Sequence, residues 1–147
     1  PELGFVGRMV EVDARPIRTV MGAGFIPVIA PVAASVVGDT SLQGSLLNVN
    51  ADTVAGEVAV ALKAGSLLFM TDVEGVMDSS NQLIPRLTQC KARGLIRSNI
   101  VAGGMLPKID ACLRALEEVE AAHIVDGRIP HTLRDSLSGE TLGTRVG

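Results

Sequence analysis

Apolar positions run along the chain in short blocks whose spacing shifts between that of a buried strand and that of a helix. Phe5 to Val12 reads as a strand, after which Asp13 is placed to cap a short helix whose early Pro16 needs no amide partner. Phe25 to Pro31 is almost wholly apolar, the pattern of a strand buried on both faces. A loop rich in small residues, Ala33 to Ser45, leads to a helix from about Ala51 to Lys63, in which Val54, Ala55, Val58, Ala61 and Leu62 recur at helical spacing. Gly65 is expected to stop it. Leu67 to Met70 is the next buried strand, followed by a polar excursion with a turn at Ser79, Ser80 and Asn81. Thr88 can cap a helix to about Arg97, Pro107 sits early in a helix running to about Glu120, and His123 to Asp126 forms a further strand. Strands alternating with helices predict an α/β fold with a parallel-type sheet. No repeat, linker or low-complexity tract divides residues 1–147, so a single domain is expected.

Composition narrows the function classes. The 147 residues are 47% apolar, enough for a core built from Val, Leu, Ile and Ala, since Trp and Tyr are absent and the aromatics are Phe5, Phe25 and Phe69. A net charge of −3 with scattered Lys and Arg supplies no basic stripe for a phosphodiester backbone, and the scarcity of aromatics removes base-stacking platforms. Nucleic acid is therefore not an expected partner. Cys90 and Cys112 stand apart, without metal-ligand spacing, so neither a metal site nor a disulfide framework is expected. The uncharged stretch Thr19 to Gly38 is broken by Gly22, Gly24, Pro27, Pro31 and Ser35, which argues against a membrane span. No positively charged segment precedes an apolar one near Pro1, so no targeting peptide is visible. Reduced thiols and a cytoplasmic location are the expectation.

Three segments have residue types suited to chemistry. Gly103 and Gly104 open into a helix near Pro107, and a helix amino end with adjacent glycines lets a phosphate approach free amides. Lys108 in that first turn opposes the helix dipole unless an anion balances it. A glycine turn beside a solvated lysine is the competing reading. Asn48, Asn50 and Asp52 fall at alternate positions ahead of the next helix, so on an extended segment they would project together to hold a polar substrate. Equally, Asn50 or Asp52 could simply cap the helix. The third segment, Thr71 to Asp78, follows a buried strand at the end where open α/β sheets place ligands, yet it also reads as a turn held by Asp72 and Gly75. The physics of the sequence leaves these pairs open. Glu117, Glu118 and Glu120 read as a solvated helix end, and His131 has no partner at metal or catalytic spacing.

Taken together, Leu3 to Gly7, Gly24 to Ala30, Asn48 to Gly56, Thr71 to Val76, Gly103 to Lys108 and Asp126 to Arg128 resemble the acetylglutamate kinases of the amino-acid kinase family, in order and over essentially the whole chain. No one of these segments is specific alone; their succession is. The resemblance implies a three-layer α-β-α fold with a mainly parallel central sheet, carbamate kinase-like, of which this chain is the C-terminal, nucleotide-binding lobe. It implies that Mg2+-bound ATP donates its γ-phosphoryl group to the side-chain carboxylate of N-acetyl-L-glutamate, giving an acyl phosphate in arginine biosynthesis. The metal would be held through the ATP phosphates. By the same resemblance Lys108 and Asp52 are catalytic, Lys108 neutralising phosphate charge and Asp52 organising the cation. Asn48 and Asn50 would serve the acetylglutamate. Asp72, Val73, Glu74, Gly75, Val76 and Met77, with Ile100, Val101, Ala102, Gly103 and Gly104, would surround the nucleotide.

The chain departs from the family pattern at two places. The lysine beside a glycine-rich loop, the second glycine pair and the acceptor-reading arginine of the family's N-terminal half have no counterpart here, so this chain is expected to lack useful turnover without that half. The tail from Leu133 to Thr144 lacks the Leu-Glu-aromatic-Thr pattern of arginine-inhibited members. Runner-up readings are a kinase acting on carrier-bound aminoadipate or glutamate, and a non-catalytic nucleotide-binding module. Family members assemble as homo-oligomers, and a plant or alga would house such an enzyme in the plastid.

Overall fold

The computed structural model describes residues 4–36, 44–140 and 142–147. Asp13 accepts the Arg15 amide at 3.0 Å and so prepares α1 (Arg15–Gly22), although the capping position itself falls to Ala14. A two-strand antiparallel pair follows, β1 (Val32–Ala34) with β2 (Leu46–Asn48). Of the small-residue loop between them, residues 37–43 lie outside the described part. Asn50 then caps α2 (Ala51–Leu62), its side chain accepting the Thr53 amide at 3.0 Å. That helix ends at Lys63, which takes the left-handed conformation at φ 52°; the expected stop at Gly65 comes two residues too late.

A tight return feeds β3 (Ser66–Thr71), after which a small excursion turns at Asp78, whose Oδ1 accepts the Ser80 and Gln82 amides. β4 (Arg86–Leu87) precedes α3 (Gln89–Arg97), which Thr88 caps as its sequence predicts. α4 (Met105–Ala115) contains Pro107 in its first turn but stops well short of Glu120. Its last carbonyls are met in a tightened turn, where the Leu116 amide bonds the Cys112 carbonyl and the Glu118 amide the Ala115 carbonyl. β5 (Ala121–Asp126), α5 (Thr132–Leu137) and β6 (Thr144–Val146) complete the chain.

The main sheet has the order β3-β5-β6-β4. β3 and β5 run parallel from Ser66 opposite Ala121 to Thr71 opposite Asp126, and β4 runs parallel to β6. β6 is antiparallel to β5, so the sheet is mixed, though mainly parallel. One face presents Leu67, Phe69, Ala122, Ile124 and Val146 to α2, α3 and α4, forming the core with Ile109, Cys112 and Leu87. Ile109, Cys112, Leu87, Ile124 and Val146 have no exposed surface, so the helix layer is fixed to the sheet by close apolar packing.

Two predicted strands are corrected. Phe5 to Val12 makes only an isolated bridge from Val6 to Asn48, and Phe25 to Pro31 forms no strand among the described residues. Ile26 and Val28 are 90% and 96% exposed instead of buried. A strand buried on both faces needs neighbours on both; among the described residues Pro27, Ile29 and Pro31 face one, across a groove lined also by Val54, Val58 and Leu67.

Candidate functional site

Helix-to-strand wiring decides where the functional side chains meet. α2 feeds β3 and α4 feeds β5 through short returns, so each helix runs back along its strand and its amino end lies at the strand's carboxyl edge. Those edges are Thr71 and Asp126, side by side in the ladder. Phosphate-binding potential is therefore concentrated where two helix amino ends meet two strand ends.

Asp52 and Lys108 join these helices. Lys108 Nζ lies 3.1 Å from Asp52 Oδ2, and the two side chains are only 24% and 19% exposed. The lysine's conflict with its own helix dipole is thus balanced by a carboxylate that in turn suits the amino end of α2. This removes the solvated-lysine reading. Gly103 adopts φ +57°, and a Cβ added at Gly103 or Gly104 would meet nothing within 4 Å, so open space stands over the backbone there.

Asn50 fills the capping role, accepting both the Thr53 amide and, at 3.2 Å, the Thr53 hydroxyl. The expectation that Asn48, Asn50 and Asp52 alternate on one extended segment is therefore corrected: helix begins at Ala51, and Asp52 leaves the line of the two asparagines. Asn48 is exposed in β2, its backbone bonded to Phe5 and Gly7 at 2.8 and 2.9 Å. Behind the ion pair, burial and the Asp52 carboxylate push the Cys112 thiol up to about 12, so it is a packed thiol and not a nucleophile.

In the segment after β3 it is the Thr71 hydroxyl, not Asp72, that holds the turn, accepting the Val73 amide at 3.1 Å and donating to the Val73 carbonyl at 2.9 Å. Asp72, Val73 and Glu74 are exposed around it, and Met77 is half-buried at a bridge to Leu83. Gly75 is required by contact, since a Cβ there would lie 2.7 Å from Thr144 Oγ1 and 2.8 Å from Leu83 Cδ1. Val76 is corrected to a core residue: it is 1% exposed, its amide donates to Thr144 Oγ1 at 2.8 Å, and its carbonyl accepts the Ile84 amide at 2.8 Å. Val101, 5% exposed, is likewise core, whereas Ile100 and Ala102 face outward beside the glycines.

Asp126 and Arg128 form a part of the edge that the sequence marks with a motif but gives no role. The Arg128 guanidinium grips the Asp126 carboxyl through Nε at 2.9 Å and Nη2 at 2.7 Å, and the Arg128 amide adds a bond at 2.9 Å. These bonds hold the Asp126 carboxyl down to about 2. Arg128 also feels the carboxylates of Asp72 and Glu74, so one exposed guanidinium offsets an acidic rim. A signal was available: an acid ending a buried strand, followed by Gly127, whose added Cβ would lie 3.0 Å from Met70 Cβ. Among the described residues no group of three or more His, Cys, Asp and Glu could hold a metal ion, and no helix is long and apolar enough to cross a membrane.

The sequence profile of the amino acid kinase family matches residues 2–126. An acetylglutamate kinase of Azorhizobium caulinodans is 47% identical over 147 residues, covering 99% of this chain and 47% of its own length. The chain thus spans about half the length of the curated relatives it matches. Among solved structures, N-acetylglutamate synthase from Neisseria gonorrhoeae, in complex with coenzyme A and L-arginine, superposes with TM-score 0.84 at 24% identity, over 97% of this chain and 32% of that one. Carbamate kinase from Giardia lamblia, bound to citric acid, gives TM-score 0.59 at 23% identity, over 71% of this chain and 32% of the other. Both show the fold shared with this chain.

Proposed function

The chain belongs to the amino acid kinase family, and on that premise we propose that it is the nucleotide-binding half of an enzyme that phosphorylates the side-chain carboxylate of N-acetyl-L-glutamate with ATP. The observation that supports this most is the shielded Asp52–Lys108 pair at the joint amino ends of α2 and α4. The acceptor carboxylate is already a nucleophile, so no general base is needed. What the reaction needs is alignment of two anions and compensation of charge as the phosphoryl group passes between them. Lys108 supplies that charge at the phosphates, Asp52 fixes the ammonium in place, and the Gly103–Gly104 amides lie under the open space beside it. Mg2+ accompanies ATP on the phosphates and spreads the developing charge when bound. Asp72, Val73, Glu74 and Met77 border the nucleotide from the β3 side, and Ile100 and Ala102 from the α4 side. Asn48 reaches the acceptor, and Asn50 positions it indirectly by starting α2.

The acceptor site is completed by a preceding half of the same polypeptide, in the cytoplasm. The share of 47% of the Azorhizobium relative supports this. So do Phe25, Ile26, Val28 and Val32, each at least half exposed, which need an apolar cover. This chain alone therefore turns over no substrate. The test is a panel of acceptors offered to the complete polypeptide: N-acetyl-L-glutamate, N-acetyl-L-aspartate and carrier-bound aminoadipate or glutamate. Phosphorylation of acetylglutamate at a kcat/KM at least about tenfold above the others is expected, a factor that one acceptor-recognition hydrogen bond supplies. Preference for the carrier-bound substrate would assign the chain to the other kinase branch.

A further inference from the structure

The same helix pair that presents Asp52 and Lys108 touches at one point a turn deeper. Gly56 follows Asp52 by four residues and Ala111 follows Lys108 by three, so each lies on the face of its helix that bears the charged residue. A Cβ added at Gly56 would lie 3.1 Å from the Ala111 carbonyl oxygen, 3.2 Å from its Cβ and 3.3 Å from its Cα. Two of these atoms are backbone in a buried helix, so they cannot swing aside as a long side chain would. Glycine is a poor choice for a helix interior on propensity alone. Beyond the contact, Glu57 Oε1 and Oε2 accept from Arg114 Nε and Nη2 at 3.0 and 3.2 Å, a paired bond that ties the two helices on the neighbouring face.

We propose that Gly56 is a positioning residue: its contact with Ala111, held by the Glu57–Arg114 pair, sets the separation of α2 and α4 at which the Asp52 carboxylate reaches the Lys108 ammonium. The inference rests on the role given to Lys108 in the proposed function. A methyl at position 56 requires Ala111 and the α4 backbone to give by a few tenths of an ångström, and that shift falls within one turn of the 3.1 Å ion pair, close enough to reach Lys108. Nucleotide affinity, spread over the whole site, is affected much less than the rate of phosphoryl transfer.

The test is a double-mutant cycle in the complete polypeptide, with kcat and KM for ATP measured for Gly56→Ala, Lys108→Ala and both together. Gly56→Ala alone is expected to lower kcat about tenfold with KM for ATP within about twofold, since small misplacements at a reacting centre cost rate before binding. In the Lys108→Ala background the same change should leave kcat within about twofold, because the group it positions is gone. Equal fractional losses in both backgrounds, a loss confined to KM, or no loss at all would overturn the proposal. If Gly56→Ala fails to accumulate, the pair Gly56→Ala with Ala111→Gly enters the cycle instead, with the same non-additivity expected and additivity overturning it. Lys108→Ala with unchanged kcat would refute the proposed function separately, whatever Gly56→Ala does.

Discussion

At Asp126 a single guanidinium sets the charge of a buried carboxyl. The carboxyl is 7% exposed, and its bonds from Arg128 bring it from an ordinary 3.8 to about 2. A depressed acid contributes stability in full above its unfolded value and loses that contribution as pH falls through the folded value. Arg128→Gln should therefore lower the denaturant midpoint near neutral pH, and the gap to the parent should close as pH falls from about 3.8 to about 2. Equilibrium unfolding across that range checks it; a gap independent of pH would show that Arg128 acts by packing alone. The pair was hard to read beforehand because an acid and an arginine two residues apart meet only when the turn between them folds back. Lys108 was legible for the opposite reason: a lysine in a first helical turn is unfavourable on its own and so announces a missing partner. That Asp52 is the partner is a fact of helix packing, 56 residues away in sequence.

Elements were read best where their ends carry their own chemistry. Thr88 and Asn50 cap α3 and α2, and both helices begin as their sequences predict. The short strands β4 and β6 escaped because two or three residues hold no periodicity and exist only by pairing with distant partners. Thr144 illustrates the dependence. It has no exposed surface, accepts the Val76 amide at 2.8 Å and donates to the Ile84 carbonyl at 2.7 Å, so it joins β6 to the segment after β3. Thr144→Val keeps the shape and strips both bonds, leaving two buried backbone groups without a partner. A loss of about 1–3 kcal/mol is expected by denaturant titration, and a change too small to measure would mean that those groups find other partners.

Across the whole molecule, the C-terminal part from α2 onward is a sheet whose one face is covered by helices, and much of the apolar surface of the part before it stands exposed. Phe25 to Pro31 reads as a buried strand from an apolar pattern that is sound; among the described residues the neighbour that the pattern requires is missing, since Ile26 and Val28 stand 90% and 96% exposed. On the proposed function the same asymmetry separates the donor side, around Asp52 and Lys108, from the acceptor side, where Asn48 lies exposed between Val6 and β1. On the proposed function Lys108 compensates charge in phosphoryl transfer to N-acetyl-L-glutamate. That role is checked by measuring acetylglutamate-dependent ATP turnover of the complete polypeptide with Lys108 and with Lys108→Ala. The expected result is a fall in kcat of at least about a hundredfold, the scale of losing one preorganised charge from a transition state; a kcat within about twofold of the parent would contradict it.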